Sequence, residues 1–406
     1  MKKKLQIVLL IIATVFFLNI EIVQASPHET QESPDQQTES NMLDPQDLVN
    51  SQINNLNLDE LKNFWDSILS DYGGFLPESQ KGSLYDLLTG ENKLDLQGYF
   101  DGILRFAFHE IIVNGKLLGS LILLTVFSVL LQTLQNSFEK SSISKVAYSI
   151  CFMVLIILAL NSFHVAITYA SETITTMTNF ILALVPLLLA LIAASGGAIS
   201  AAFFHPVILF LMNTSGMLVE KVVLPLLFLS VLLHIVSSLS EHYKVTQLAN
   251  LLRNISIGIL GIFLTIFLGV ISVQGASAAI TDGITIKTVK FVTGNFIPVI
   301  GRMFTDATDT VINASLLLKN TVGIAGVVIL LLIVTFPAIK ILMISFIYKL
   351  AAALLQPIGG GPVITCLDVI SKSVIYVFAA LAIVSLMFFL SITVIIVAAN
   401  LTMMVK

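Results

Sequence analysis

The sequence predicts an all-α fold: a polytopic helical membrane protein of about six to nine crossings, with a small acidic helical ectodomain at its N-terminus. Three observations carry this. Apolar residues make up 56% of the 406-residue chain and charged residues only 11%, whereas soluble domains carry about 25% charged residues. Mean hydropathy is +0.94. Several apolar runs also approach the roughly 20 residues that a helix needs to cross a bilayer, and lipid leaves helix as the economical way to satisfy every backbone polar group.

The N-terminus reads as a secretory signal over residues 1–25. Lys2, Lys3 and Lys4 form the basic start, Leu5–Leu18 the apolar core, and Ala25 the small residue at the cleavage point. Residues 26–46 are rich in Pro, Gln, Glu and Ser and are expected to be a disordered linker, for want of apolar surface to bury. Residues 47–115 form the extracytoplasmic helical domain. An amphipathic helix is expected near Asp47–Tyr72, with Leu48, Leu58, Leu61, Trp65, Ile68 and Leu69 mostly on one stripe, ended by Gly73-Gly74. A second is expected near Leu96–Val113, carrying Phe100, Ile103, Leu104, Phe108, Ile111 and Ile112.

Charge separates this region from the rest of the chain. Residues 26–115 hold sixteen acidic and four basic side chains, a net charge of −12; from Lys116 onward fourteen basic and eight acidic residues give +6. That balance excludes nucleic acid as a partner, which would need a basic face. The acidic region is either a solvated cap or a docking surface.

Residues 116–406 are the transmembrane domain. Clear crossings are 117–134, 147–168, 254–276, 321–339 and 373–398, and the apolar tract 178–239 crosses once or three times. A basic loop with Lys140 and Lys145 after the first crossing, and a loop at Tyr169–Thr176 without Lys or Arg after the second, orient the chain with its acidic region outside. The connection Thr281–Lys319 reads as a surface-lying or re-entrant segment. A faint repeat pairs Ile143-Ser144-Lys145 with Ile370-Ser371-Lys372, with Arg253 in a comparable place between them.

No enzyme motif is complete. Gly359-Gly360-Gly361 lack the Lys-Ser/Thr pair of a phosphate loop, and Pro362 removes a backbone donor that phosphate would use. His109-Glu110 lacks the second histidine of a zinc-protease helix. Catalytic, cofactor and metal residues are therefore none. Cys151 and Cys366 both lie in or beside apolar runs and suggest no disulfide framework.

The remaining candidates are structural or line a conduit: Glu220, Lys221, Pro357, Gly359, Gly360, Gly361, Pro362 and Asp368. Glu220-Lys221 in an apolar tract lines a conduit or marks an interfacial pair where crossings meet. Pro357 and Pro362 restrict the residues before them, so helix should stop before Gln356 and resume after Pro362, with Asp368 in the first turn of the last helix. Ala194, Ala198 and Ala202 offer small residues for close helix packing, and Lys340 and Lys349 are expected to snorkel.

The C-terminal block Leu350–Lys406, which contains "LLQPIGGGPVITCLDVISKSVIYVF", resembles the stage III sporulation protein AE family, as do the signal ending "EIVQA" and the acidic ectodomain. The resemblance implies a polytopic membrane component of the mother-cell half of the channel that joins the mother cell to the engulfed forespore. It implies as partners the other stage III A sporulation proteins, including a separate cytoplasmic ATPase and ring-forming members, and indirectly forespore protein Q. It also implies a membrane insertase for biogenesis, and it supplies no catalytic residues. On the residues alone, a stand-alone secondary permease for a small solute is the other reading, favoured by the broken apolar segments and the faint repeat.

Overall fold

A computed structural model describes residues 58–77, 82–89, 95–137, 142–239, 244–296, 300–358 and 361–404. The signal and linker expected before Asp47, the start of the first amphipathic helix, and Gly359 and Gly360 lie outside these residues. The described chain is helical, without a strand.

Three short helices come first. α1 (Asp59–Tyr72) buries Leu61, Trp65 and Ile68, the stripe expected from sequence, and gives way at Gly73-Gly74 to a 3₁₀ turn, Gly73–Phe75. Trp65 Nε1 donates to Gly82 O at 3.0 Å, tying α1 to the segment before α2 (Leu84–Thr89). α3 (Leu96–Val113) has the expected limits. Asp95 starts it by accepting from Gly98 N at 2.9 Å, which satisfies one of the free N–H groups of the first turn. A Cβ on Gly102 would collide with the carbonyl oxygen of Phe75, so glycine lets the 3₁₀ turn lie directly on α3. The inward anchor of α3 is Phe106; Phe100, Leu104, Phe108 and Ile112 are exposed.

Longer helices make up the remainder: α4 (Gly115–Ser137), α5 (Ser142–Ala194), α6 (Ala198–Leu218), a π-helical stretch Val219–Val223, α7 (Leu224–Leu239), α8 (Thr246–Phe296), α9 (Ile300–Leu355) and α10 (Pro362–Met404). Six apolar stretches among them are long enough to cross a membrane, of 19, 49, 38, 28, 44 and 36 residues. The chain is a multi-pass, all-α membrane protein.

Several expected loops are helix instead. Tyr169–Thr176 lies inside α5, because its hydroxyls do not compete with the backbone: Thr173, Thr175 and Thr176 donate to the carbonyls of Tyr169, Ser171 and Glu172, four residues back, at 2.6, 3.0 and 2.9 Å. The described residues of the 281–319 connection, expected to lie on the surface or re-enter, are the end of α8 and the start of α9. The expected crossing 321–339 is part of α9, which continues through Pro337 and Lys340 to Leu355. The turn that does form after α5 uses Gly196 at φ 92°, with Gly197 N donating to Ile192 O at 2.9 Å, a backbone that residues with a Cβ resist. Ala194, Ala198 and Ala202, expected at a helix contact, are exposed around this turn. The two ends of the faint repeat do not share a register: Lys145 and Lys372 lie at different distances from the starts of α5 and α10.

Pairwise contacts align α5, α9 and α10. From bottom to top they are Lys349–Asp368, the reciprocal Ser345–Ser371 pair (Ser345 Oγ to Ser371 O, 2.8 Å; Ser371 Oγ to Ser345 O, 3.0 Å), Met177–Ser385, and Lys319 Nζ donating to Ile396 O at 3.0 Å. At 1.5 Å per residue this register extends about 45 Å. The bundle therefore has two apolar tiers. The lower tier is α4, the first half of α5, α7, the start of α8, the end of α9 and the start of α10. It is tied by Tyr348 Oη, which bonds Ser162 Oγ at 2.9 Å, and by Ser230 Oγ, which donates to Ala249 O at 2.7 Å. In the upper tier α10 is packed against α5, α6, α8 and α9, which stand around it in that order.

Candidate functional site

Polar groups gather where the tiers meet. Lys340 on α9 lies over two rings, 5.6 Å from the centroid of Tyr72 on α1 and 5.2 Å from that of Tyr169 on α5. Ammonium groups are attracted to the negative faces of such rings. Other polar residues fall at the same level. Gly216 faces Ile174 and Thr178, which puts Glu220, one turn further along, beside the level of Glu172. Tyr376 lies nine residues before Ser385, whose contact is Met177, and carries the Arg253 guanidinium 5.3 Å from its ring centroid.

Within this belt a cavity of about 280 Å³ separates α1 from the bundle. Its polar lining includes Asp71, Tyr72, Tyr169, Glu172 and Lys340, and its apolar wall includes Phe64, Ile333 and Pro337. Two carboxylates and one ammonium thus face a space between a short N-terminal helix and two long ones. The aromatic side is built around Phe336, which stacks on Tyr72 (4.2 Å between centroids, 8° between planes) and meets Phe106 edge-on at 5.0 Å. The Tyr72 hydroxyl is held up to about 12, first by burial and then by the negative charge of Asp71, so it is neutral near pH 7. The arrangement suits binding and mechanical coupling. Among the described residues no group of three or more His, Cys, Asp or Glu side chains could hold a metal ion.

The sequence-derived candidates fall in two other places. Glu220 and Lys221 pair with each other on the π-helical stretch Val219–Val223, with the Lys221 side chain 67% exposed. π-Bulges interrupt regular helix and frequently mark functional places; here the bulge puts the pair on the outside of the belt, at an interface between tiers. Asp368 pairs with both Lys349 and Lys372 in the lower tier, so Lys349 is paired where it was expected to snorkel. Helix α9 stops at Leu355, as expected, and Gln356–Ile358 form a turn. Pro362 begins α10, where its missing N–H costs nothing. Asp368 consequently sits in the second turn, not the first. Gly361 lies against α4: a Cβ there would be 3.3 Å from Gln132 Oε1. Gln356–Ile358 and Gly361 therefore lie at the bottom of the lower tier, away from the belt.

Residues 79–399 match the sequence profile of the family described as Stage III sporulation protein AE. The chain belongs to the stage III sporulation protein AE family. It is also 66% identical over 404 residues to the "Stage III sporulation protein AE" of Bacillus subtilis (strain 168), an alignment covering 100% of both chains. No solved structure matches. The family match begins after α1, so it takes in Tyr169, Glu172 and Lys340 but not Asp71 and Tyr72.

Sequence reasoning missed the belt. The signal available was the run Tyr169–Thr176 with Glu172 at its centre, a polar interruption of a long apolar stretch. A second was Lys340, three residues after Pro337 in another such stretch.

Proposed function

We propose that this chain is a non-enzymatic integral-membrane component of a trans-envelope channel or secretion complex needed for endospore development. In this reading it sits in the mother-cell membrane facing the forespore, with residues 26–115 outside the cytoplasm. The observation that carries the reading is height. Continuous apolar helices with spans of 36 to 49 residues rise about 55–75 Å at 1.5 Å per residue, against a hydrocarbon core of about 30 Å. A component reaching from one membrane toward another needs such reach; a simple pump does not. The chain carries no nucleotide-binding pattern, so a separate cytoplasmic ATPase would supply energy. The other stage III A proteins, and through them forespore protein Q, would be its partners, and a membrane insertase would place it in the bilayer.

α4 supports this orientation. It has the length of one crossing, starts one residue after α3, and exposes Leu123, Phe127 and Leu130. Lys140 and Lys145 follow its far end in sequence. That is the positive-inside pattern. α4 then crosses inward from the N-terminal helices. A reporter active only outside the cytoplasm should therefore work when fused after Glu91 and fail when fused after Lys140; the reverse pattern would sink this orientation.

The cavity at Lys340 favours a second reading, a stand-alone permease using a small polar site. Reconstitution of the purified chain in liposomes separates the two. The component reading expects no solute uptake without partners, and sustained uptake by the chain alone would replace it with the permease.

A further inference from the structure

Arg253 carries a charge into the membrane-spanning part of α8, and among the described residues its guanidinium has neither an ion pair nor a hydrogen bond. Other charges in the spans are compensated. Glu220 pairs with Lys221, Asp368 with both Lys349 and Lys372, and Lys340 shares its cavity with two carboxylates. Arg253 is half-buried over the ring of Tyr376 on α10, and its Nε is buried without a partner. The ring recovers part of what the guanidinium loses on leaving water, but a charge inside a span still calls for a counterion.

A second unsatisfied group stands beside it. His234 on α7 lies close enough to feel the Arg253 charge, and its Nε2 is also buried without a partner. The hydroxyls along the same α7–α8 seam are matched: Ser230 Oγ donates to Ala249 O at 2.7 Å, and the Ser237 and Thr246 hydroxyls meet at 2.6 Å. Buried polar groups left over in so well-paired a seam ask for a ligand. Depth says which kind. The span Thr246–Val273 has 28 residues and rises about 42 Å, close to the 40–45 Å of a bilayer with its headgroups, of which about 30 Å is hydrocarbon. With that span centred, roughly 6 Å at each end lies among headgroups, and Arg253, about 10 Å in from Thr246 by helix rise, is within a side chain's reach of the phosphates.

We propose that Arg253 and His234 hold the phosphodiester of an anionic phospholipid, its acyl chains lying on the exposed Val236, Leu251, Ile255 and Ile375 around them. Basic groups between membrane helices, near one face of the bilayer, recognise such headgroups. The charge balance selects an anionic lipid over a zwitterionic one. Lys372, one turn before Tyr376 on α10, shares the single Asp368 with Lys349, so this end of the bundle has positive charge to spare and no free carboxylate there for a headgroup ammonium. The apolar flanks select a lipid over free phosphate. The site does not depend on which end of α8 faces the cytoplasm, so it stands or falls separately from the orientation given above.

The test is native mass spectrometry of the full chain purified in detergent and offered phosphatidylglycerol and phosphatidylcholine at equal concentrations. Phosphatidylglycerol should be retained roughly fivefold better, the worth of one basic side chain at an anionic headgroup. Arg253→Gln should bring the two lipids level, whereas Arg105→Gln, which removes an exposed guanidinium paired with Asp101 on α3, should leave the preference intact. Equal retention of both lipids by the unaltered chain would mean unspecific boundary lipid and overturn the site. Inorganic phosphate that displaces phosphatidylglycerol would make it a site for a free anion and overturn the lipid assignment. Should Arg253→Gln fold poorly, the unaltered chain still decides: a phosphatidylglycerol with a photoreactive headgroup should attach near His234, Arg253 or Tyr376, and attachment confined to other helices would overturn the proposal.

Discussion

Replacing Phe336 by alanine is expected to release α1 and α3 from the bundle while leaving the helices of the lower tier in place. The ring is 2% exposed and is the point where two N-terminal aromatics converge, Tyr72 stacked on it and Phe106 against its edge. Tyr72 and Phe106 also touch each other, with centroids 5.8 Å apart, and Phe75 meets Phe106 at 5.0 Å, so the cluster is shared by α1, the 3₁₀ turn and α3. Truncating a buried phenylalanine costs about 3–5 kcal/mol. Because opening of one region draws only on the contacts that hold it, most of that cost should appear as faster hydrogen exchange in α1 and α3, by roughly 10²–10³-fold. Lys340→Met should act in the same direction but less, since an ammonium over an aromatic ring is worth about 0.5–2 kcal/mol. Tyr72 adds a pH dependence. Its hydroxyl pKa rises from 10.0 to about 12 on docking, so the stabilisation is complete below about pH 10 and is lost as pH climbs toward 12. Unchanged exchange in α1 and α3 of Phe336→Ala would show that these helices are held elsewhere.

The parts of this architecture legible in sequence were those set by local chemistry. The helix expected near Leu96–Val113 forms with those limits, and Gly73-Gly74 stops α1. Gln356-Pro357 ends α9, because the residue before proline avoids helical backbone. The stripe Leu61, Trp65 and Ile68 was readable because α1 has one buried face. Hydropathy failed at the belt. A run such as Tyr169–Thr176 looks like a loop when polarity is taken to mean solvent, yet its threonines bond to their own helix and its Glu172 faces a cavity between helices. The α3 stripe misled in the opposite way: Phe100, Leu104 and Phe108 look like a core face, but the core contact is Phe106. Periodicity reports that a face is apolar and says nothing of what covers it. The same limit hid the tiers, since nothing in a hydropathy window distinguishes apolar surface that meets lipid from apolar surface that meets protein.

Gly326→Val combined with Gly323→Val is expected to unfasten α9 in the upper tier. The two glycines lie one turn apart and face different neighbours. A Cβ on Gly326 would stand 2.5 Å from a methyl of Leu184 on α5, and one on Gly323 would stand 2.6 Å from the end of Ile396 on α10. Leu184 is itself fully buried, so its side chain has no free space to move into. Small residues let helix backbones approach this closely where packing, and not the hydrophobic effect, drives association. Forcing extra methyl groups into a packed core costs about 1–3 kcal/mol; Leu184 has no room to yield while the half-buried Ile396 has some, so the pair should lower stability by roughly 1–3 kcal/mol, most of it from Gly326→Val. Thermal unfolding of the detergent-purified chain measures this directly. Gly261→Val on α8 is the matched control: nothing lies within 4 Å of a Cβ there, so only the weak helix preference of valine is tested, a change of well under 1 kcal/mol. The same substitution should thus be severe on α9 and nearly silent on α8. If Gly261→Val and the α9 pair unfold alike, close packing of α9 between α5 and α10 is not what those glycines provide.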